Sequence, residues 1–148
     1  MKTYKLLFLT LFLLAGTFIS TQAQPSATEK KTSAIQSNEQ SNNYALLVRN
    51  YNHLRAAVNT LDMMTSENPK AVNNFEVVFC GRKITKINKH QSLINEAKQK
   101  GVTLTACGMS MKKFSMDKKQ LPNGVVVKPN GLIRIFELQK KGYKTITL

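Results

Sequence analysis

Along the chain, short apolar runs alternate with apolar stripes at helical spacing. Tyr44-Ala45-Leu46-Leu47-Val48 is an unbroken apolar run, the pattern of a strand buried on both faces. Leu54, Ala57, Val58 and Leu61 then fall at i, i+3, i+4 and i+7, one stripe of an amphipathic helix, with Asn52 as its expected N-cap and Pro69 beyond its end. Phe75 to Cys80 predicts a second strand closed by Gly81, and Ile84, Ile87, Gln91 and Ile94 trace a second helical stripe, with Gly101 at its C-cap position. Val102 to Cys107 predicts the third strand, and Gly108-Met109-Ser110-Met111 turns into a short helix through Phe114. Leu121-Pro122-Asn123-Gly124 is turn chemistry ahead of a fourth strand at Val125-Val126-Val127. Pro129-Asn130-Gly131 opens a last helix in which Leu132, Ile135 and Phe136 share a face; Gly142 ends it, and Thr145 to Leu148 reads as a fifth strand.

Strand and helix alternate with connections too long for hairpins. That order predicts an α/β fold, a three-layer sandwich whose five-stranded, mostly parallel sheet carries helices on both faces. A flavodoxin-like strand order would place the first strand between the second and third. In open sheets of this kind functional groups gather outside the carboxyl ends of the strands, where both cysteines fall.

Upstream of Tyr44 the pattern changes. Lys2 and Lys5 precede an apolar run from Leu6 to Ile19, followed by small residues at Thr21 and Ala23, which matches a secretory signal peptide over residues 1–23. The run is shorter than the roughly 20 residues that span a bilayer, so no stable membrane insertion is expected once the signal is cleaved. Residues 24–43 are polar, with Ile35 the one large aliphatic side chain, and read as a tether; the domain is 44–148. The expected product is exported, periplasmic or secreted.

Charge sharpens this picture. Lysine and arginine number 22 against 8 acidic residues, a net of +14. Lys2 and Lys5 leave with the signal, and Glu29 and Glu39 offset Lys30 and Lys31 in the tether, so the remaining positive charge belongs to the domain. Charge of this kind is ordinarily a solvated surface; if it has a partner, anionic glycans, headgroups or small oxyanions fit an exported protein, and nucleic acid is not an expected partner.

Two cysteines are too few for a disulfide scaffold or an all-cysteine zinc site. His53 and His90, read as lying in the first strand-to-helix loop and the second helical segment, show no metal-ligand spacing with them, so no metal is expected, and no Walker loop or nucleophile elbow suggests a cofactor. Cys107 stands at the end of the third strand, just before Gly108, Met109 and Ser110. Backbone N–H groups there would favour a thiolate, and Lys112 and Lys113 would add positive potential. The bland reading of the same residue is a small buried hydrophobe. Cys80 is placed similarly before Gly81. With the first strand between them, the two strand ends would stand about 9 to 10 Å apart, beyond the roughly 7 Å limit for bridged Cα atoms, which weighs against a disulfide and for a structural thiol.

Gly101-Val102 with a strand ending in Cys107, Leu121-Pro122-Asn123-Gly124-Val125, Pro129-Asn130-Gly131 and Gln139-Lys140-Lys141-Gly142-Tyr143 together resemble the C-terminal half of DsrE/DsrF-like proteins. The resemblance implies a parallel DsrEFH-like α/β fold and homo-oligomers, often trimers or hexamers. In the sulfur-relay members it implies a cysteine that carries a persulfide between a sulfur donor and an acceptor; the matching position is Cys107, and Cys80 inherits no role. Three functions follow as expectations: a persulfide carrier acting through Cys107, a non-catalytic oligomeric module that binds an anion on its basic rim, and a thiol redox protein in which Cys80 is the partner of Cys107.

Overall fold

The computed structural model of the protein describes residues 42–148. The expected signal peptide and the tether up to residue 41 lie outside the described residues. Five strands, β1 (Asn43–Val48), β2 (Asn74–Phe79), β3 (Val102–Cys107), β4 (Val125–Lys128) and β5 (Lys144–Thr147), form one all-parallel sheet in the order β4-β3-β2-β1-β5. The helices are α1 (Tyr51–Glu67), a 3-10 helix at Arg82–His90 that runs into α2 (Gln91–Gln99), the short α3 (Gly108–Lys113), and α4 (Gly131–Lys140).

This order corrects the flavodoxin-like one: β1 lies between β2 and β5 and not between β2 and β3, so β2 and β3 are directly paired. The chain steps from β1 through β4 in one direction and then jumps back across the sheet to place β5 beside β1. Right-handed crossovers that advance in one direction put their helices on one face, and the crossover that reverses puts its helix on the other. The core follows this rule. Val48, Val77, Phe79, Leu104 and Ala106 pack with Leu54, Val58, Ile84, Ile87, Ile94 and Met111 in one large cluster, and Ala45, Leu47 and Val78 pack with Ile135 and Leu138 of α4 in a smaller one. Among the described residues, one face thus carries most of the helices and the other carries α4 alone.

Two local assignments differ from the sequence reading. Asn50, not Asn52, caps α1: it is extended at φ −150° and its side chain accepts from the His53 N–H at 3.0 Å, which puts His53 inside the first turn and not in the loop. Tyr51 explains the earlier start, being buried and donating its hydroxyl to the Lys83 carbonyl at 2.6 Å while His90 stacks on its ring at 3.7 Å. The second stripe is split, because Ile84 and Ile87 are both buried at the i, i+3 spacing that eclipses on a three-residue turn, and only Leu93, Ile94 and Ala97 follow α-helical spacing.

The α4 face holds one buried charge cluster. Glu76 of β2 is 3% exposed and accepts from the Thr105 hydroxyl at 2.7 Å and from Arg134 Nε and Nη2 at 2.9 and 2.8 Å. The bidentate pair fastens α4 to β2, and the Thr105 bond ties in β3. Breaking such a pair from one side leaves an uncompensated buried charge, which costs about 3–5 kcal/mol.

Candidate functional site

The direct pairing of β2 and β3 decides what stands at their carboxyl ends. Continuing the register by one residue from Phe79↔Ala106 and Val48↔Phe79 sets Arg49, Cys80 and Cys107 side by side, and Lys128 pairs with Cys107 on the far side. Adjacent strands are about 4.8 Å apart, so the separation expected from the flavodoxin-like order does not exist here. Both cysteines are free thiols. They follow the alternation of Val78 and Thr105 onto the α4 face, where the chain leaving β4 crosses over.

That crossover brings the first turn of α4 over the two sulfurs. Asn130 caps the helix, its side-chain oxygen accepting from the N–H groups of Leu132 at 2.8 Å and Ile133 at 3.4 Å. The N–H of Gly131 is left for a different acceptor, Cys107 Sγ, at 3.2 Å. Only glycine fits at that position. A Cβ on residue 131 would lie 2.4 Å from Cys80 Sγ, 3.1 Å from a Val78 methyl and 3.2 Å from Cys107 Cβ, so the missing side chain is the space the two thiols occupy.

Ser110, on α3, supplies a second set of donors. Its hydroxyl oxygen accepts from the N–H of Gly81 at 2.9 Å, which leaves the hydroxyl proton for Cys107. Cys107 is the N-cap of α3, but its sulfur makes no cap hydrogen bond of full geometry, so the Ser110 N–H acts on it as an oriented dipole. Cys107 is 4% exposed, and burial alone would raise its pKa; the Ser110 hydroxyl, the N–H groups of Ser110 and Gly131 and the Cys80 thiol together outweigh burial and hold it below the ordinary thiol value. Cys80 goes the other way. Burial first, then the charge of Cys107 and the hydrogen bond given to it, push the Cys80 thiol up to about 12, with Arg49 opposing. One sulfur is arranged as a thiolate and its neighbour as a protonated donor to it.

The two sulfurs open into a cleft of about 400 Å³ lined by Leu47, Arg49, Met109, Lys113 and Leu132 among others. Of the residues singled out from sequence, Cys107, Cys80, Met109, Ser110 and Lys113 meet there. Lys112 does not line the cleft, and Gly108 serves packing: a Cβ on it would lie 3.2 Å from the Lys128 carbonyl and 3.3 Å from that of Pro129. Met109 is exposed, its sulfur accepting from the Asn130 side chain at 3.0 Å and its N–H donating to the Pro129 carbonyl at 3.0 Å. Gly131, Asn130, Gly81 and Arg49 went unnoticed as site residues. Asn130-Gly131 carried a signal, a helix opening, but nothing local says that the helix opens onto a sulfur 24 positions earlier. His53 and His90 stand outside the cleft, and among the described residues no three His, Cys, Asp or Glu side chains form a group that could hold a metal.

A larger hollow of about 540 Å³ lies elsewhere, lined by Arg82, Lys83, Thr85, Lys86, Phe114 and Ser115. It contains no nucleophile of the cysteine class, so any covalent sulfur chemistry resides in the smaller cleft.

Comparison with known proteins agrees with this architecture. Residues 18–148 match the DsrE/DsrF-like family. Among solved structures, a protein of unknown function from Methanobacterium thermoautotrophicum superposes with a TM-score of 0.60 at 18% identity, covering 72% of this chain and 100% of its own. The ychN protein from E. coli gives 0.55 at 13% identity, over 72% of this chain and 99% of its own. A conserved protein of unknown function from Bacteroides thetaiotaomicron gives 0.54 at 20% identity, over 74% and 98%. These likenesses establish the fold. The comparison with curated proteins finds no match.

Proposed function

Because the chain belongs to the DsrE/DsrF-like family, we propose that it is an exported sulfur carrier in which Cys107 takes up a sulfane sulfur as a persulfide. The observation that carries this reading is the convergence of the Gly131 N–H and the Ser110 hydroxyl on the sulfur of Cys107 at the floor of a cleft. A thiolate is the nucleophile in sulfur exchange, and these donors lower the cost of forming one. With thiosulfate as donor, the Cys107 thiolate attacks the outer sulfur, the donor's S–S bond breaks and sulfite leaves with the electron pair. An acceptor thiolate then attacks the outer sulfur of the Cys107 persulfide and regenerates the Cys107 thiolate. The positive charges of Arg49 and Lys113 at the cleft favour entry of an anionic donor.

The test is intact-mass measurement after anaerobic incubation with thiosulfate. Cys80→Ser, in which Cys107 is the one thiol left, is expected to gain about 32 Da, one sulfur atom, and Cys107→Ser to gain nothing. An unmodified mass for Cys80→Ser, or equal gain in Cys107→Ser, refutes the reading. Export is the part of the proposal carried by residues 1–23, and loss of that segment from the protein recovered outside the cytoplasm is its check. Assembly with further copies of this chain is supported by Leu132, Ile133 and Phe136, exposed on the one helix that, among the described residues, covers its face of the sheet. Phe136→Asp should then lower the mass seen in sedimentation.

The basic hollow favours a second reading, a non-catalytic module that holds an anion. Three cations and no carboxylate line it, and the guanidinium of Arg82 lies 5.4 Å from the Phe114 ring centroid. Under that reading, binding of a small oxyanion weakens with salt and survives Cys107→Ser.

A further inference from the structure

The mechanism above uses one thiol, yet the fold places a second beside it. Cys80 and Cys107 are successors of paired residues on neighbouring parallel strands, and a strand spacing of about 4.8 Å lies inside the 4.4–6.8 Å range of Cα separations that a disulfide spans. Cys80 Sγ and the Cys107 side chain both lie against the Gly131 position, the sulfur 2.4 Å and Cys107 Cβ 3.2 Å from where a Cβ on residue 131 would stand. The Cys80 N–H is tied to the Val48 carbonyl at 2.9 Å, so the backbone that carries it is held in the sheet ladder. The absent side chain at residue 131 leaves its sulfur room against α4.

We propose that Cys80 is a resolving cysteine, which discharges the Cys107 persulfide as sulfide and closes a Cys80–Cys107 disulfide. The inference rests on the carrier reading and names a fate for the sulfur within the same chain. Cys80 starts as S–H and Cys107 as the persulfide anion. The Cys80 proton moves to the outer sulfur, Cys80 Sγ attacks Cys107 Sγ, the bond between Cys107 Sγ and the outer sulfur breaks, and HS⁻ leaves with the electron pair. Two cysteine sulfurs are oxidised to one disulfide and the sulfane sulfur is reduced to sulfide, so atoms and electrons balance without another reactant. Arg49, beside Cys80 just past the end of β1 and lining the cleft, favours both the attacking thiolate and the departing anion. Return to the dithiol requires an external dithiol reductant, and each chain therefore releases one sulfide per reduction.

The experiment gives the reduced, desalted protein sodium thiosulfate without oxygen or added thiol and follows three quantities: released sulfide, intact mass and non-reducing peptide maps. Wild type is expected to release about one sulfide per chain, to lose about 2 Da relative to the dithiol form and to yield a linked Cys80–Cys107 peptide pair. Cys80→Ser and Cys80→Ala are expected to stop at the adduct about 32 Da heavier, with no sulfide. If wild type also stops at the adduct with no bridge, the resolving role is overturned and the carrier reading stands. If neither wild type nor the Cys80 variants take up sulfur, the carrier reading falls and the resolving role with it. Sulfide release by Cys80→Ala equal to wild type also overturns the proposal. The wild-type products decide the question even if one variant fails to fold.

Discussion

Ser110→Ala, made in a Cys80→Ser background so that one thiol remains, isolates the donor that most favours the Cys107 thiolate. The hydroxyl is lost in two directions. Toward Cys107 a charge-assisted hydrogen bond disappears; such bonds contribute about 1.5–3 kcal/mol, and sulfur acceptors sit at the low end. A loss of about 1.4 kcal/mol lowers the thiolate fraction about tenfold wherever the thiol is mostly protonated. A more basic thiolate is also a better nucleophile, with a Brønsted slope of about 0.4–0.5, which returns about a factor of three. The expected rate with a neutral dipyridyl disulfide is therefore about threefold below the Ser110 parent at low pH and about threefold above it once both thiols are ionised. The two pH profiles must cross. Toward Gly81 the N–H that now reaches Ser110 at 2.9 Å loses its acceptor, which should cost about 1 kcal/mol of stability in urea titration. Profiles that superpose from about pH 5 to about pH 10, or a variant slower throughout, would refute the idea that Ser110 tunes the sulfur.

Further expectations follow from the same contacts. Gly131→Ala forces the first turn of α4 outward, because the Val78 methyl at 3.1 Å and Cys107 Cβ at 3.2 Å belong to stiff, buried positions; it should cost about 1–3 kcal/mol in denaturant titration and slow the reaction of Cys107 with the same probe. Arg134→Met leaves Glu76 buried and unpaired and should destabilise by about 3–5 kcal/mol, far more than removing the exposed Arg55 from its Glu96 pair, which should change urea midpoints little. Cys80 gives a pH signature. Its native thiol stays protonated up to about 12 while the unfolded one ionises near 9, so between those values the native state binds the extra proton and stability falls as pH rises. Cys80→Ser should make that fall shallower in denaturation curves compared across the same pH range.

Element existence was legible because each apolar pattern has one dominant period, and strands running Val102–Cys107 and a helix opening at Asn130-Gly131 needed no tertiary information. Boundaries were less so. Asn50 and Asn52 are equally good caps as residues, and the choice fell to the buried Tyr51, whose partner Lys83 lies 32 positions away. Cys107 was legible as a strand-end thiol, and Ser110 as its near neighbour, because three residues of chain cannot separate them far. Local sequence therefore determined that this is an α/β chain with a basic domain and a candidate nucleophile at Cys107. Strand order was the decision of the tertiary structure. Side-chain periodicity says which residues face a layer but is silent on which strand pairs with which; the one-way succession from β1 to β4 seats β2 against β3, and the crossover back from β4 to β5 sends α4 over their ends. That strand order turned Cys80 from a distant structural thiol into the neighbour of Cys107, and made a glycine N–H 24 residues away part of the site.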